Sequence, residues 1–301
     1  MGELLAVASA LCFGTTHFLS GLVSRHRHGV TVAACAQAGG TVVSLVPVLL
    51  TQGANAPPAA LGWGALSGLG TGVGVACLYW SMNQGPMSVV VPVSDVTAVG
   101  LPVLAGIALL GDRPSPPALT GIALGLPALW LVSRGESSES SESHEPSGPR
   151  KAHGARPGHG QGADRPRPAV VLALVAGVGL ALHFFALARI PAAAGWWPVV
   201  VSRAVSVAVI LALFPATGAS LRLPRRAAAV AAVAGALGTL ATILYLLATR
   251  QELLSVAVVL SALYPAVPVL LALTFLRERI TRPQTVGLLG AALAIGLIAL
   301  N

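Results

Sequence analysis

Apolar residues in this chain come in long blocks separated by short polar breaks. Ten blocks of roughly 17 to 25 residues can be marked, at about 3–22, 30–50, 60–82, 86–110, 117–133, 168–189, 195–216, 227–248, 253–275 and 282–300. A helix rises 1.5 Å per residue, so each block is long enough to cross a hydrocarbon core about 30 Å thick. No sustained period-two alternation competes with the helical reading, which argues against a barrel. The pattern predicts an all-α integral membrane protein with ten transmembrane helices. The first block opens MGELLAVASA without a basic stretch and resembles the other nine, so it is read as a retained helix rather than a cleaved leader.

One segment breaks the pattern. Residues 134–167 are rich in Ser, Glu, Gly, Pro and Arg and almost devoid of apolar side chains. Such a stretch buries too little surface to offset the entropy of ordering, so a disordered polar linker is expected there. His144, His153 and His159 fall in it at spacings that fit no tight metal site. The linker divides the chain into residues 1–133 and 168–301, with five blocks each, and the halves resemble one another. LYWSMNQGPMSVVVPVS at 78–94 parallels LYLLATRQELLSVAVVLS at 244–261, and DRPSPPALTG at 112–121 parallels ERITRPQTVG at 278–287. The same offset of 166 pairs His17 with His183 and Gln37 with Arg203. An odd number of spans per repeat forces the second copy into the membrane the other way round. That is the inverted-repeat plan of secondary transporters, whose substrate binds near the midplane where the repeats meet.

Composition agrees and charge adds orientation. Of 301 residues, 55% are hydrophobic and 9% charged, against about 25% charged in soluble domains. The net charge of +8 could suggest a nucleic-acid partner, but its distribution argues against one. Arg25, Arg27, Arg134, Arg150, Lys151, Arg156, Arg165, Arg167, Arg222, Arg225, Arg226, Arg277, Arg279 and Arg282 lie in one set of loops. Arg113, Arg189 and Arg250 lie in the other. The positive-inside rule puts the first set, and the linker, in the cytoplasm of a multi-pass cell (plasma) membrane protein, with both termini outside. Cys12, Cys35 and Cys77 lie inside spans without ligand-like spacing and read as small packing residues.

The order and spacing of several motifs resemble the EamA family of the drug/metabolite transporter superfamily. They are FGTTHFLSGLVSR (13–25), MSVVVPVSD (87–95), GDRPSPPALTGIAL (111–124) and VVLSALYPAVPVLLALTFLRERITRPQTVGLLG (258–290). The resemblance covers both halves and omits the linker. It implies ten helices in two inverted repeats and the export, or sometimes import, of small metabolites. Asp112 stands where the family usually has Glu, Ala98 where the second half keeps Pro265, and Asp95 where a small or apolar residue is usual. The resemblance therefore gives Asp95 no role, and one has to be argued from physics.

Asp95 is the only acidic residue in the interior of a block, roughly 13 Å deep at 1.5 Å per residue. An ionised Asp costs about 3 kcal/mol at that depth on insertion scales, so it should face the bundle or water. Ser88, Pro92, Val99 and Pro102 share its helical face, which suggests a cavity wall; the plainer reading is a structural carboxyl bonded to a neighbouring helix. Arg203 stays charged and needs an anion or a wet cavity, so it could pair with Asp95, hold a substrate carboxylate, or merely bridge helices. His17 and His183 could relay protons or tie helices together. Ser261, Tyr264 and Pro268 form an i, i+3, i+7 stripe suited to an amphipathic pocket or to packing. Trp196 and Trp197 read as interfacial anchors, and GWGALSGLGTGVGVA at 62–76 as a close helix contact. No phosphate loop, HExxH, nucleophile elbow or Cys/His cluster occurs, so no catalytic residue, metal or cofactor is expected.

These features favour a secondary transporter, an exporter in the first instance, of small metabolites such as amino acids or related compounds. Asp95 is the candidate for proton coupling, and the small-molecule substrate and the lipid bilayer are the expected partners. A homodimer is kept open. The alternatives are a lipid or polyprenyl-phosphate flippase with Arg203 on the phosphate, a channel, and a membrane-embedded enzyme acting on lipid-linked substrates.

Overall fold

The computed structural model describes residues 1–24, 27–51, 56–82, 87–142, 167–217, 220, 222–271, 274 and 281–299. No strand occurs among them. The helices are α1 (Gly2–Ser24), α2 (Gly29–Leu50), α3 (Pro58–Met82), α4 (Met87–Leu109), α5 (Pro116–Glu142), α6 (Arg167–Ala188), α7 (Trp197–Leu213), α8 (Arg225–Ala248), α9 (Leu254–Ala262), α10 (Ala266–Leu271) and α11 (Arg282–Ala299). Several of their starts are marked by proline. Pro58 and Pro116 open α3 and α5, Pro198 lies in the first turn of α7, and Pro224 precedes α8. A proline here costs nothing, because a first-turn N–H has no helical partner anyway.

Apolar side chains cover the outside as well as the core. The surface shows Leu4, Val42, Leu49, Leu50, Leu104, Leu109 and Leu289, each more than half exposed. The interior holds Gln37, Ser67, Thr71, Asp95, His183, Ser202, Arg203 and Thr242. Among the described residues, five helices are long and apolar enough to cross a membrane, and four shorter apolar stretches accompany them.

Packing partners repeat between the halves. Helix α1 lies on α8 as α6 lies on α3, and α2 lies on α8 as α7 lies on α3. Helices α2 and α7, α4 and α9, and α5 and α11 pack against each other directly. Small residues set the distances. Methyl groups at Gly64 and Gly68 would strike the carbonyl oxygens of Pro198 and Ser202 on α7, and one at Gly70 would lie 2.5 Å from Gly179 O on α6. The Gly-rich stretch of α3 thus serves two neighbours, one from each side of its helical wheel, and no side chain would fit.

Two departures from the apolar pattern matter. Helix α5 continues to Glu142, past the end expected at Ser133, while the remainder of the linker with its three histidines lies outside the described residues. The ninth block is not one helix. It breaks at Leu263–Pro265 between α9 and α10, where Pro265 can donate no N–H. Helix α9 is buried at every position. Its first turn is capped from the other half of the chain, with the Ser255 N–H donating to Asp112 Oδ2 at 2.8 Å. Gly111, at φ 76°, ends α4 in the left-handed region and lets Asp112 N–H bond back to Gly106 O at 3.0 Å, which aims the carboxylate at α9.

Candidate functional site

Helix α7 buries Val199, Ser202, Arg203, Ser206 and Ile210 at spacings of three and four, so its second turn delivers Arg203 to the interior. The guanidinium meets neutral acceptors. Nη1 donates to Gln37 Oε1 on α2 at 2.6 Å, and Nη2 donates to Gly238 O on α8 at 2.6 Å and to Thr242 Oγ1. Gln37 Nε2 in turn donates to Ser206 Oγ at 2.8 Å. Asp95 is not among these partners. Gln37 is also the residue that the offset of 166 assigns to Arg203. A residue touches its own repeat mate only where the two halves meet, so the arginine lies at the junction of the halves. A full positive charge there has donors oriented by hydrogen bonds and no carboxylate partner among the described residues, which suits an incoming anion.

A second polar cluster adjoins it through Ser202. Ser202 Oγ and Ser67 Oγ are 3.1 Å apart, and His183 Nδ1 lies 2.8 Å from Ser67 Oγ and 2.7 Å from Thr71 Oγ1. Thr71 donates its own proton to Ser67 O at 3.0 Å, so the arrangement is satisfied with the imidazole proton on Nδ1. Tyr245, fully buried on α8, donates to Phe184 O at 3.0 Å.

The third element gathers at the break in the ninth block. Tyr264 donates to Asp95 Oδ1 at 3.3 Å and stacks on His17, with centroids 4.6 Å apart and planes 12° from parallel. Phe13 touches both Tyr264 and Phe184 at 6.2 Å, so rings run from the break to the His183 cluster. Gly14 admits this approach, since a methyl there would lie 2.6 Å from Tyr264 O.

The two histidines, equivalent by sequence, are not equivalent in structure. On α1 the face Ala6, Ala10, Gly14, His17, Gly21 follows the helical period. Its first three members are buried, whereas His17 and Gly21 are exposed, and none of the described residues lies within 4 Å of a methyl built on Gly21. The matching positions on α6 are His183 and Leu187, at 6% and 0% exposure. The core-facing side of α1 is therefore open at its C-terminal end, and the same side of α6 is closed.

Among the residues singled out by sequence, Asp95, Tyr264 and His17 come together, and Arg203 and His183 meet in adjoining clusters. Ser261, buried on α9, donates to Ala6 O at 3.4 Å and so ties α9 to α1. The side chains of Ser88, Pro92 and Pro268 lie outside the described residues. Trp197 is 39% exposed. Trp196 differs: it is half-buried and carries the Arg250 guanidinium 5.8 Å from its ring centre. Sequence reasoning missed Thr242, Ser67, Thr71, Ser202 and Phe13 as members of these clusters, since isolated hydroxyls and rings in apolar blocks carry no positional signal. Gln37 had a signal in its pairing with Arg203.

Comparison with known proteins agrees with this architecture. A solved structure described as "Crystal structure of protein" superposes with a TM-score of 0.69 over 99% of this chain and 95% of its own, at 19% identity, which speaks to the fold alone. No curated protein matches the chain. The model of the EamA-like transporter family matches twice, over residues 1–134 and 167–300, the two halves that flank the polar segment. The chain therefore belongs to the EamA-like transporter family, membrane proteins of the drug/metabolite transporter superfamily.

Proposed function

We propose that the protein is a secondary transporter that exports small carboxylate-bearing metabolites, such as amino acids or related compounds, by alternating access. Its ten spans form two inverted repeats of five, with the ninth span made of α9 and α10. The observation that carries this reading is the asymmetry between equivalent faces: α1 is open at His17 and Gly21 where α6 is closed at His183 and Leu187. Two inverted copies of one fold, caught in different arrangements around a shared centre, are what one state of a rocking cycle requires. The open side is the one that the loop charges assign to the cytoplasm, where an exporter loads. Arg203 holds the substrate carboxylate, and His17 with Tyr264 forms the amphipathic wall beside it.

Asp95 is the coupling group in this scheme. It is a buried acid bonded to the tyrosine at the helix break, so gain or loss of its proton acts on the segment that must move. In liposomes with an imposed pH gradient, Asp95→Asn is expected to lose gradient-driven accumulation of a metabolite while keeping most of its one-for-one exchange. Full gradient-driven accumulation in Asp95→Asn would remove the coupling role and leave a structural carboxyl. Loss of exchange together with lowered thermal stability would assign Asp95 to the fold.

A further inference from the structure

We infer that the cleft between the α1–α2 and α7–α8 connections binds a phosphate group. It has a volume of about 270 Å³ and is lined by Arg27, His28, Thr31, Ser220, Arg222 and Leu223. The transport site proposed above uses none of these side chains, and Arg27 and Arg222 entered the argument only as loop charges that set orientation.

The lining converges on an anion from several directions. Arg27 and Arg222 are exposed and come from opposite halves of the chain, with no carboxylate among the described residues that line the cleft. Helix α2 starts at the same place, with His28 as its N-cap and no side-chain cap. His28 O accepts from the Thr31 and Val32 N–H groups at 3.0 and 3.2 Å, which leaves the Gly29 and Val30 N–H groups without a partner among the described residues. Those donors and the positive end of a long helix favour negative charge at this spot. The hydroxyls are also sorted. Thr31 Oγ1 donates to Ser220 O at 2.8 Å and so fixes the wall. Ser220 Oγ accepts the Arg222 N–H at 3.3 Å, which leaves its own O–H available as a donor. Two guanidinium forks, one hydroxyl donor and a helix N-terminus match the three acceptor oxygens and negative charge of a phosphate. The group could come from an anionic lipid headgroup, as in basic pockets on the cytoplasmic side of membrane proteins, or from a free phosphate.

The test uses the full chain in nanodiscs, read by thermal unfolding. One arm compares phosphatidylcholine alone with phosphatidylcholine plus phosphatidylglycerol. The other titrates inorganic phosphate into phosphatidylcholine discs at constant ionic strength. Two double variants are compared, R27Q/R222Q in the cleft and R225Q/R226Q beside it on α8. All four arginines are exposed, so neither variant threatens the fold. The wild type and R225Q/R226Q should be stabilised in at least one arm. R27Q/R222Q should lose the lipid-induced shift, or need about tenfold or more phosphate for half the effect. Stabilisation in the phosphatidylglycerol arm alone identifies a lipid headgroup, and stabilisation by inorganic phosphate identifies a free phosphate site. No shift in the wild type in either arm overturns the inference. So does an equal shift in R27Q/R222Q, or an equal loss in both variants, which would mean unspecific surface charge.

Discussion

Arg203→Gln is expected to abolish metabolite binding while leaving the unliganded protein as stable as the wild type, or more so. The two halves of that expectation have one cause. Burying a guanidinium away from water costs several kcal/mol, and in the resting protein Gln37 Oε1, Gly238 O and Thr242 Oγ1 offset only part of it, because none carries a charge. Glutamine removes the charge and its desolvation. A substrate carboxylate, however, supplies the missing counter-charge, and each hydrogen bond between charged partners contributes about 1.5–3 kcal/mol. Losing two of them weakens binding by about 100-fold or more. The measurement is a thermal melt of both proteins with and without a stabilising metabolite. A melting point several degrees lower in unliganded Arg203→Gln, with metabolite stabilisation intact, would make Arg203 a structural bridge.

The largest effect on the fold is expected from Gly235→Val, which should fail to give a stable monodisperse protein. Helices α2 and α8 touch backbone to backbone there. Any side chain at Gly235 runs into Ala36 O, and Gly40 N lies 2.9 Å from where a methyl would sit. Neither obstacle is a rotatable side chain, so the helices must part. Parting them also breaks the bond from Thr239 Oγ1 to Gly40 O, now 2.9 Å. Overpacking a tight site commonly costs 1–3 kcal/mol, and a rigid one about 3 kcal/mol or more, against a total stability of about 5–15 kcal/mol. Gly21→Ala is the matched control. Its methyl meets open space, so it should be neutral or gain about 0.5–1 kcal/mol of helix propensity. Melting curves and size-exclusion profiles of both variants separate close contact from glycine loss as such.

The ease of reading this chain follows from what a bilayer demands. Every backbone polar group must be satisfied within its own segment, so long apolar blocks become helices and prolines mark where they begin. Paired motifs made the two halves visible, and one pair, Gln37 with Arg203, turned out to be in direct contact. Hidden were features that depend on three dimensions. The cap that Asp112 places on α9 joins residues far apart in the chain. The division of α3's glycines between α6 and α7 is set by helix angles. The contrast between exposed His17 and buried His183 depends on what packs around each, and identical letters in a repeat cannot record it. The continuation of α5 into the polar segment had no apolar periodicity to announce it.

Alternating access is tested most directly by thiol labelling from each side of the membrane. Gly21→Cys and Leu187→Cys would be placed singly and together in a background lacking Cys12, Cys35 and Cys77, and probed with a membrane-impermeant reagent. These two positions match across the repeat, one exposed and one fully buried. Cys at 21 is expected to react only from the cytoplasmic side and Cys at 187 only from the other. Conditions that raise one reactivity should lower the other in proportion. Reaction at both positions at once, with no such trade-off, would contradict alternating access and describe a channel instead.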